Sequence, residues 1–141
     1  MTDGEVRTTS LTGGQKGVKP QRFELIPTEP LRLLAELFGR GALKYEDRNW
    51  ERGYEWSKSY GALQRHANAF WAGQDNDDHL PDCPADCTNH TELPHLAAVA
   101  CHAFFLLEWA RTHPEFDDRV GTKAAVQAKL SKIIAQMPLA G

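Results

Sequence analysis

The sequence predicts an all-α fold, a bundle of about four main helices, and three observations carry that expectation. Apolar residues recur at three- and four-residue intervals in four separate stretches. Helix start and stop residues bound those stretches. No stretch alternates apolar and polar residues in the way a half-buried strand does. At 141 residues the chain is long enough for one domain with a substantial core.

Residues 1–12 are polar and rich in Thr, and read as a flexible tail ahead of a single domain spanning 13–141. The run from Gly13 to Pro20 is a basic, glycine-rich loop. Freed backbone amides beside Lys16 and Lys19 can cradle phosphate oxygens, although solvated Gly/Lys tails share this composition. Phe23–Pro27 reads as a short extended anchor. Thr28 is placed to cap a first helix, with Pro30 tolerated in its first turn. Leu31, Leu34, Ala35 and Phe38 share its apolar face, and Gly39 and Gly41 weaken its end. A short irregular segment from Gly41 to Trp50 follows. Ser57 is placed to cap a second helix with the stripe Tyr60, Leu63, Ala67, Phe70 and Trp71, and Gly73 ends it. Residues 74–93 form a polar loop. Pro94 opens a third helix, Leu96 to Trp109, apolar almost all round and hence expected at the centre of the bundle. Thr122 caps an additional C-terminal helix over 122–137, whose stripe Ala125, Val126, Leu130, Ile133, Ile134 and Met137 is expected to face inward.

Charge and composition exclude several classes of partner. The formal charge is −3 and no Lys/Arg block exists to track a phosphate backbone, so duplex nucleic acid is not expected. A small anion held by a few lysines stays open. No apolar run is long enough to span a membrane and Met1–Leu11 lacks a signal-peptide core, so a cytoplasmic protein is expected. Three cysteines argue against a disulfide scaffold.

The helices do not need all of their polar residues. Lys44, Tyr45, Asn49 and Trp50 fall in one short segment between two helix signals, and loops carry function more often than packing. Lys44 can meet an anion and Trp50 a ring, which is a nucleotide-like demand; the competing reading makes them an exposed ion-pair partner and a core aromatic. His66 flanks the buried face of the second helix, and His95 and His102 share a face of the third. Asp75, Asp77 and Glu92 cluster around these histidines in sequence. Carboxylates with one or two imidazoles suit Mg²⁺ or Mn²⁺, with Mn²⁺ accepting nitrogen more readily; the competing reading is a solvated acidic loop with hydrogen-bonded structural histidines. In the same loop His79, Cys83, Cys87 and His90 supply the ligand count of a structural Zn²⁺ site, though not the spacing of a tight knuckle. Cys101 reads as a small core residue.

Lys16-Gly17-x-Lys19, Arg22-Phe23-Glu24-Leu25-Ile26-Pro27, Gly41-Ala42-x-Lys44-Tyr45, Arg48-Asn49-Trp50, Trp56-Ser57, Arg65-His66, Asp75-x-Asp77 and His95-Leu96-Ala97-Ala98-Val99-Ala100 occur in that order. With this ordered set, over about residues 13–110, the chain resembles the phage dATP/dGTP diphosphohydrolases. These are small relatives of the MazG-type all-α nucleoside triphosphate pyrophosphohydrolases. The resemblance implies a metal-dependent enzyme that cuts a purine (d)NTP, dGTP or dATP, into (d)NMP and pyrophosphate. It also implies a role in phage nucleotide-pool control or in supplying the precursor of 2-aminoadenine. The larger family holds Mg²⁺ with Glu-x-x-Glu on one helix and Glu-x-x-Asp on the next. Here His66 falls at the last position of the first motif and Glu92-x-x-His95 at the second, a departure that favours Mn²⁺. Spacing and likeness together nominate His66, Asp75, Asp77, Glu92 and His95 as holders of two or more ions. They nominate Lys16, Lys19, Lys44 and Arg65 for the phosphates, and Tyr45, Asn49 and Trp50 for the base.

Two rival functions follow from the same residues. An HD-type phosphohydrolase needs a His-Asp dipeptide, and none of the six histidines is followed by Asp. A non-catalytic helical interaction module, stapled by zinc through His79, Cys83, Cys87 and His90, is the other. A single helical unit of this size leaves part of its central face open, so a homodimer or homotetramer is expected, with the site completed by a neighbour.

Overall fold

The structure, a computed structural model, describes residues 4–138. Four α-helices make up most of it: α1 (Thr28–Lys44), α2 (Trp56–Trp71), α3 (His95–Thr112) and α4 (Lys123–Gln136). The all-α expectation holds, with one small addition. Strands β1 (Arg7–Thr9) and β2 (Gln15–Gly17) form an antiparallel hairpin with Thr8 opposite Lys16. The boundary expected at residue 12 therefore falls inside a hairpin turn. Gly13 takes φ +86° there and its amide donates to Ser10 O at 3.0 Å. Strands of three residues are too short for alternation to register in sequence.

Each helix shows where the start signals succeed and fail. Thr28 is the first residue of α1 and Pro27 takes the cap position, so Thr28 does not cap as expected. The helix runs through Gly39 and Gly41 to Lys44; it is not broken ahead of the Lys44–Trp50 segment. Two glycines cost about 1 kcal/mol each in a helix interior, and burial of Leu34 and Leu37 on this helix offsets that cost. Phe23–Leu25 is a 3₁₀ turn, not an extended anchor. At the start of α2, Ser57 caps nothing: its amide and hydroxyl both donate to the Asp118 carboxylate, which arrives from the far end of the chain. The α2 terminus is as expected. Gly73 takes φ +95°, its amide donates to Phe70 O and that of Gln74 to Ala69 O, the paired bonds of a Schellman end.

Helix α3 is central, packing along α2 and against α1. Leu34 and Leu37 of α1 meet Leu93, Ala97, Ala98 and Cys101 in one buried cluster, flanked by Phe38 and Phe105. Beside it Trp109 is fully buried and its indole N–H donates to Trp50 O at 3.0 Å. The inward face of α2 differs from the one expected. Trp56 and Ser59 are buried, Leu63 and His66 are half-buried, and Tyr60, Phe70 and Trp71 lie exposed. Two of these four inward residues are polar, and of the expected stripe only Leu63 and Ala67 are turned inward, so a hydrophobic stripe misplaces the face.

Helix α4 corrects a second expectation. Thr122 caps it, its hydroxyl accepting from the Ala125 amide at 3.2 Å. Its apolar stripe does not face inward: Val126, Leu130, Ile133, Ile134 and Met137 are all exposed. Periodicity shows which residues share a face, not what that face meets. Among the described residues no helix is long and apolar enough to cross a membrane.

Candidate metal and nucleotide site

A short backbone pairing assembles the site. Asn76 and Pro94 form an isolated antiparallel bridge, with Asp77 N donating to Leu93 O and His95 N to Asp75 O, both at 2.9 Å. Glu92 turns the chain back in the left-handed region, φ +57°, and its amide donates to Asp77 O. This stitch delivers Asp77 to the first turn of α3, where it meets His95, and α2 presents His66 from the other side. One ligand atom from each of the three lies within 4.8 Å of the others.

Asp77 and His95 are buried and His66 is half-buried. The Asp77 carboxylate is clamped: its Oδ2 accepts from the Thr91 amide at 2.9 Å and from the Thr91 hydroxyl at 3.1 Å. Among the described residues no hydrogen bond falls on Oδ1. The Nδ1 atoms of His66 and His95 face each other at 2.9 Å. Burial holds the His66 imidazole below the ordinary histidine range, opposed by the Asp77 charge and reinforced by His95 and Arg65. Two turns along α3 from His95, His102 stacks against His66 with ring centroids 6.4 Å apart, and its Nδ1 lies 3.0 Å from Ser59 Oγ. Burial lowers His102 to about 4, helped by His66 and Arg65. Two imidazoles facing a carboxylate in a shielded place are a donor set for a divalent ion that accepts both nitrogen and oxygen, a description fitting Mn²⁺ better than Mg²⁺.

The other nominated residues divide into three groups. Lys44, Tyr45, Asn49 and Trp50 line one cavity of about 1060 Å³, and His66 and His102 line it too. That volume accommodates a nucleotide-sized ligand. Lys44 and Tyr45 stand at its rim, the Lys44 ammonium 5.3 Å from the Tyr45 ring centre. Trp50 is already stacked by Phe105 at 5.6 Å and met edge-on by Phe38, so one of its faces belongs to the core. Asp75, Glu92 and Arg65 lie near the three-residue group in sequence but outside it and exposed. Glu92 points instead toward His79, at 3.7 Å. Lys16 and Lys19 line a separate shallow groove at the hairpin, and Lys19 pairs with Glu5 at 2.7 Å. Arg48 pairs with Glu51, and Glu36 with Arg32 and Arg40.

His79, Cys83, Cys87 and His90 also converge, one ligand atom from each within 4.8 Å of the rest. Cys83, the Asn89 amide and His90 all stabilise the Cys87 thiolate, bringing that thiol down to about 6, while Cys83 is pushed up as the donor of the pair. Cys101, by contrast, is a core thiol that burial pushes up to about 12.

With this geometry in place, one comparison decides the family. The family described as dATP/dGTP diphosphohydrolase, N-terminal, matches residues 10–119. The chain belongs to it. The match covers the hairpin turn, α1 to α3, the whole metal-donor loop and the turn after α3, and leaves out α4. No curated protein and no solved structure matches the chain. As a member of this family the chain is related to hydrolases of purine deoxynucleoside triphosphates.

Three site residues carried no signal in the sequence. Thr91 clamps Asp77 yet reads as one more loop threonine. Arg40, on α1, donates to Thr91 O and lines the cavity. Ser59 is a fully buried hydroxyl on α2 that a polarity pattern assigns to the surface. Only a fold that brings α1, the loop and α3 together shows what they hold.

Proposed function

We propose that this chain hydrolyses a purine deoxynucleoside triphosphate, dGTP or dATP, to the monophosphate and pyrophosphate. Water adds to the α-phosphorus and the bond to the α–β bridging oxygen breaks, so pyrophosphate leaves and the water's protons are shed. The observation that supports this reading is the meeting of two features at one wall: His66, of the His66/Asp77/His95 group, lines the same cavity as Lys44, Tyr45 and Asn49. Membership of the diphosphohydrolase family supports the same reaction.

The residues divide by chemistry. His66, Asp77 and His95 would hold a divalent ion, Mn²⁺ or Mg²⁺, with exposed Asp75 as an oxygen donor for any second one. A bound ion of this kind polarises phosphate oxygens and lowers the pKa of bound water. Lys44 and Arg65 neutralise the outer phosphates, since such hydrolysis is mostly positioning and charge compensation. Tyr45 offers the base an exposed aromatic face, Asn49 offers its edge an amide, and Trp50, backed by Phe105, forms the floor. In a phage setting the reaction controls the purine nucleotide pool or supplies dGMP for 2-aminoadenine synthesis. The active assembly is a homodimer or homotetramer, a reading supported by exposed Leu96, Phe104 and Leu107 on α3 and by the apolar face of α4.

The test incubates the purified protein with dGTP or dATP and Mn²⁺ or Mg²⁺ and separates products by ion exchange. The expected result is the monophosphate with pyrophosphate in equal amounts. Release of triphosphate or of single phosphates assigns a different hydrolase. Absence of turnover over a full nucleotide panel with either ion favours the non-catalytic zinc-stapled module.

A further inference from the structure

We propose that His79, Cys83, Cys87 and His90 bind one structural Zn²⁺, and that this ion fixes Thr91, which lines the cavity and holds the Asp77 carboxylate. The donors are two thiolates and two imidazoles, the number and softness that select zinc over Mg²⁺ or Mn²⁺. Their spacing agrees with a single tetrahedral ion. The His90 Nδ1 lies 3.5 Å from Cys83 Sγ and 3.6 Å from Cys87 Sγ. Bonds of about 2.3 Å to sulfur and about 2.05 Å to nitrogen at the tetrahedral angle separate those two ligands by about 3.6 Å.

The backbone is built for this arrangement. Cys83 and Cys87 each close a turn, their amides donating to Leu80 O at 2.9 Å and to Pro84 O at 3.0 Å. The Asn89 amide points at Cys87 Sγ from 3.4 Å, and Glu92 stands beside His79 at 3.7 Å. An amide on a ligand sulfur and a carboxylate beside a ligand imidazole are the supports that orient metal ligands. The loop holds no helix or strand, and its one large apolar side chain, Leu80, is 64% exposed. Apolar burial therefore cannot order it, whereas metal binding in such a segment contributes folding free energy directly.

The second half of the proposal follows from adjacency. His90 is bonded to Thr91, whose amide and hydroxyl hold the Asp77 carboxylate and whose carbonyl accepts from Arg40. An ion gripping His90 anchors Thr91, and Thr91 anchors Asp77. The ion is a positioning element and touches no substrate.

The test needs no substrate, so its failure is separate from failure of the proposed reaction. The full chain is purified in reducing buffer with zinc, freed of loose metal with a weak chelator, and assayed by elemental mass spectrometry. The expected result is one zinc per chain in the wild type and in His66→Ala, and none in Cys83→Ser with Cys87→Ser. Cobalt-loaded wild type and His66→Ala should show thiolate-to-cobalt charge transfer and strong tetrahedral d–d bands. Amide exchange at Thr91 should be slow with zinc and at least 10-fold faster after removal by a strong chelator, a comparison on wild-type chain that stands even if the cysteine variant fails to fold. Zinc retained without both cysteines, zinc lost in folded His66→Ala, or no bound zinc at all would overturn the site. Equal exchange at Thr91 with and without zinc would overturn the coupling to Asp77.

Discussion

Asp77 is useful because it is held. Both of its contacts to Thr91 fall on Oδ2, which holds the carboxylate beside the two imidazoles. Supports of this kind are worth about 10–100-fold in metal affinity. Thr91→Val, which keeps the amide bond and loses the hydroxyl one, is expected to weaken Mn²⁺ binding by about 10-fold in a calorimetric titration. Unchanged affinity would show that the amide alone fixes the carboxylate. His102 gives a prediction in pH. Its folded value is about 4 against the ordinary 6.5, because burial disfavours the charged ring, with His66 and Arg65 on α2 adding repulsion. Between those values the unfolded chain holds a proton that the folded chain lacks. The stability from His102 is thus complete above the ordinary value and is lost as pH falls toward about 4. The melting temperature of chelated wild type should fall across that window more steeply than that of His102→Gln. Parallel curves would remove His102 from the acid response.

Among the elements, the helices were legible and their facing was not. Gly73 as a terminator, Thr122 as a cap and Pro94 at the head of α3 are local signals, written into a few consecutive residues, and all three hold. Ser57 fails as a cap because its partner, Asp118, is distant in sequence and no local rule can see it. The site was half legible for the same reason. His66, Asp77 and His95 were nominated because potential metal donors are few enough to notice, and the structure brings these three together; Thr91 and Ser59 matter only through what they touch. A junction between elements supplies the next prediction. Gly53 ends the 3₁₀ turn Asn49–Arg52 with φ +71°, and a Cβ there would lie 2.7 Å from the His113 ring. That ring is itself fixed, its Nε2 donating to Glu51 O and its Nδ1 facing Glu115. Gly53→Ala is expected to destabilise the protein by about 1–3 kcal/mol in urea, through backbone strain and the displaced imidazole. A change below about 0.5 kcal/mol would mean the turn relaxes freely.

At the scale of the whole molecule, the apolar surface is unevenly spent. Leu34, Leu37, Ala97, Ala98 and Trp109 close one compact interior, while α4 lays its stripe outside it. Leu130→Glu with Ile133→Glu should therefore leave the urea stability of the protomer within about 0.5 kcal/mol, as surface changes do. In light scattering, the same variant should lower the mass of the assembly if α4 joins copies together. An unchanged mass would assign the assembly to the exposed residues of α3. The bridge between Asn76 and Pro94 has a consequence of another kind. It stitches the two ends of the 78–91 excursion to each other, so that segment begins and ends at one place. Closing a longer excursion adds only about 0.6 kcal/mol for each doubling of length. Descendants of one ancestral gene can therefore lengthen or shorten the spacers within this segment, provided Thr91 keeps its hold on Asp77. The stitch separates what inheritance must preserve from what it is free to rewrite.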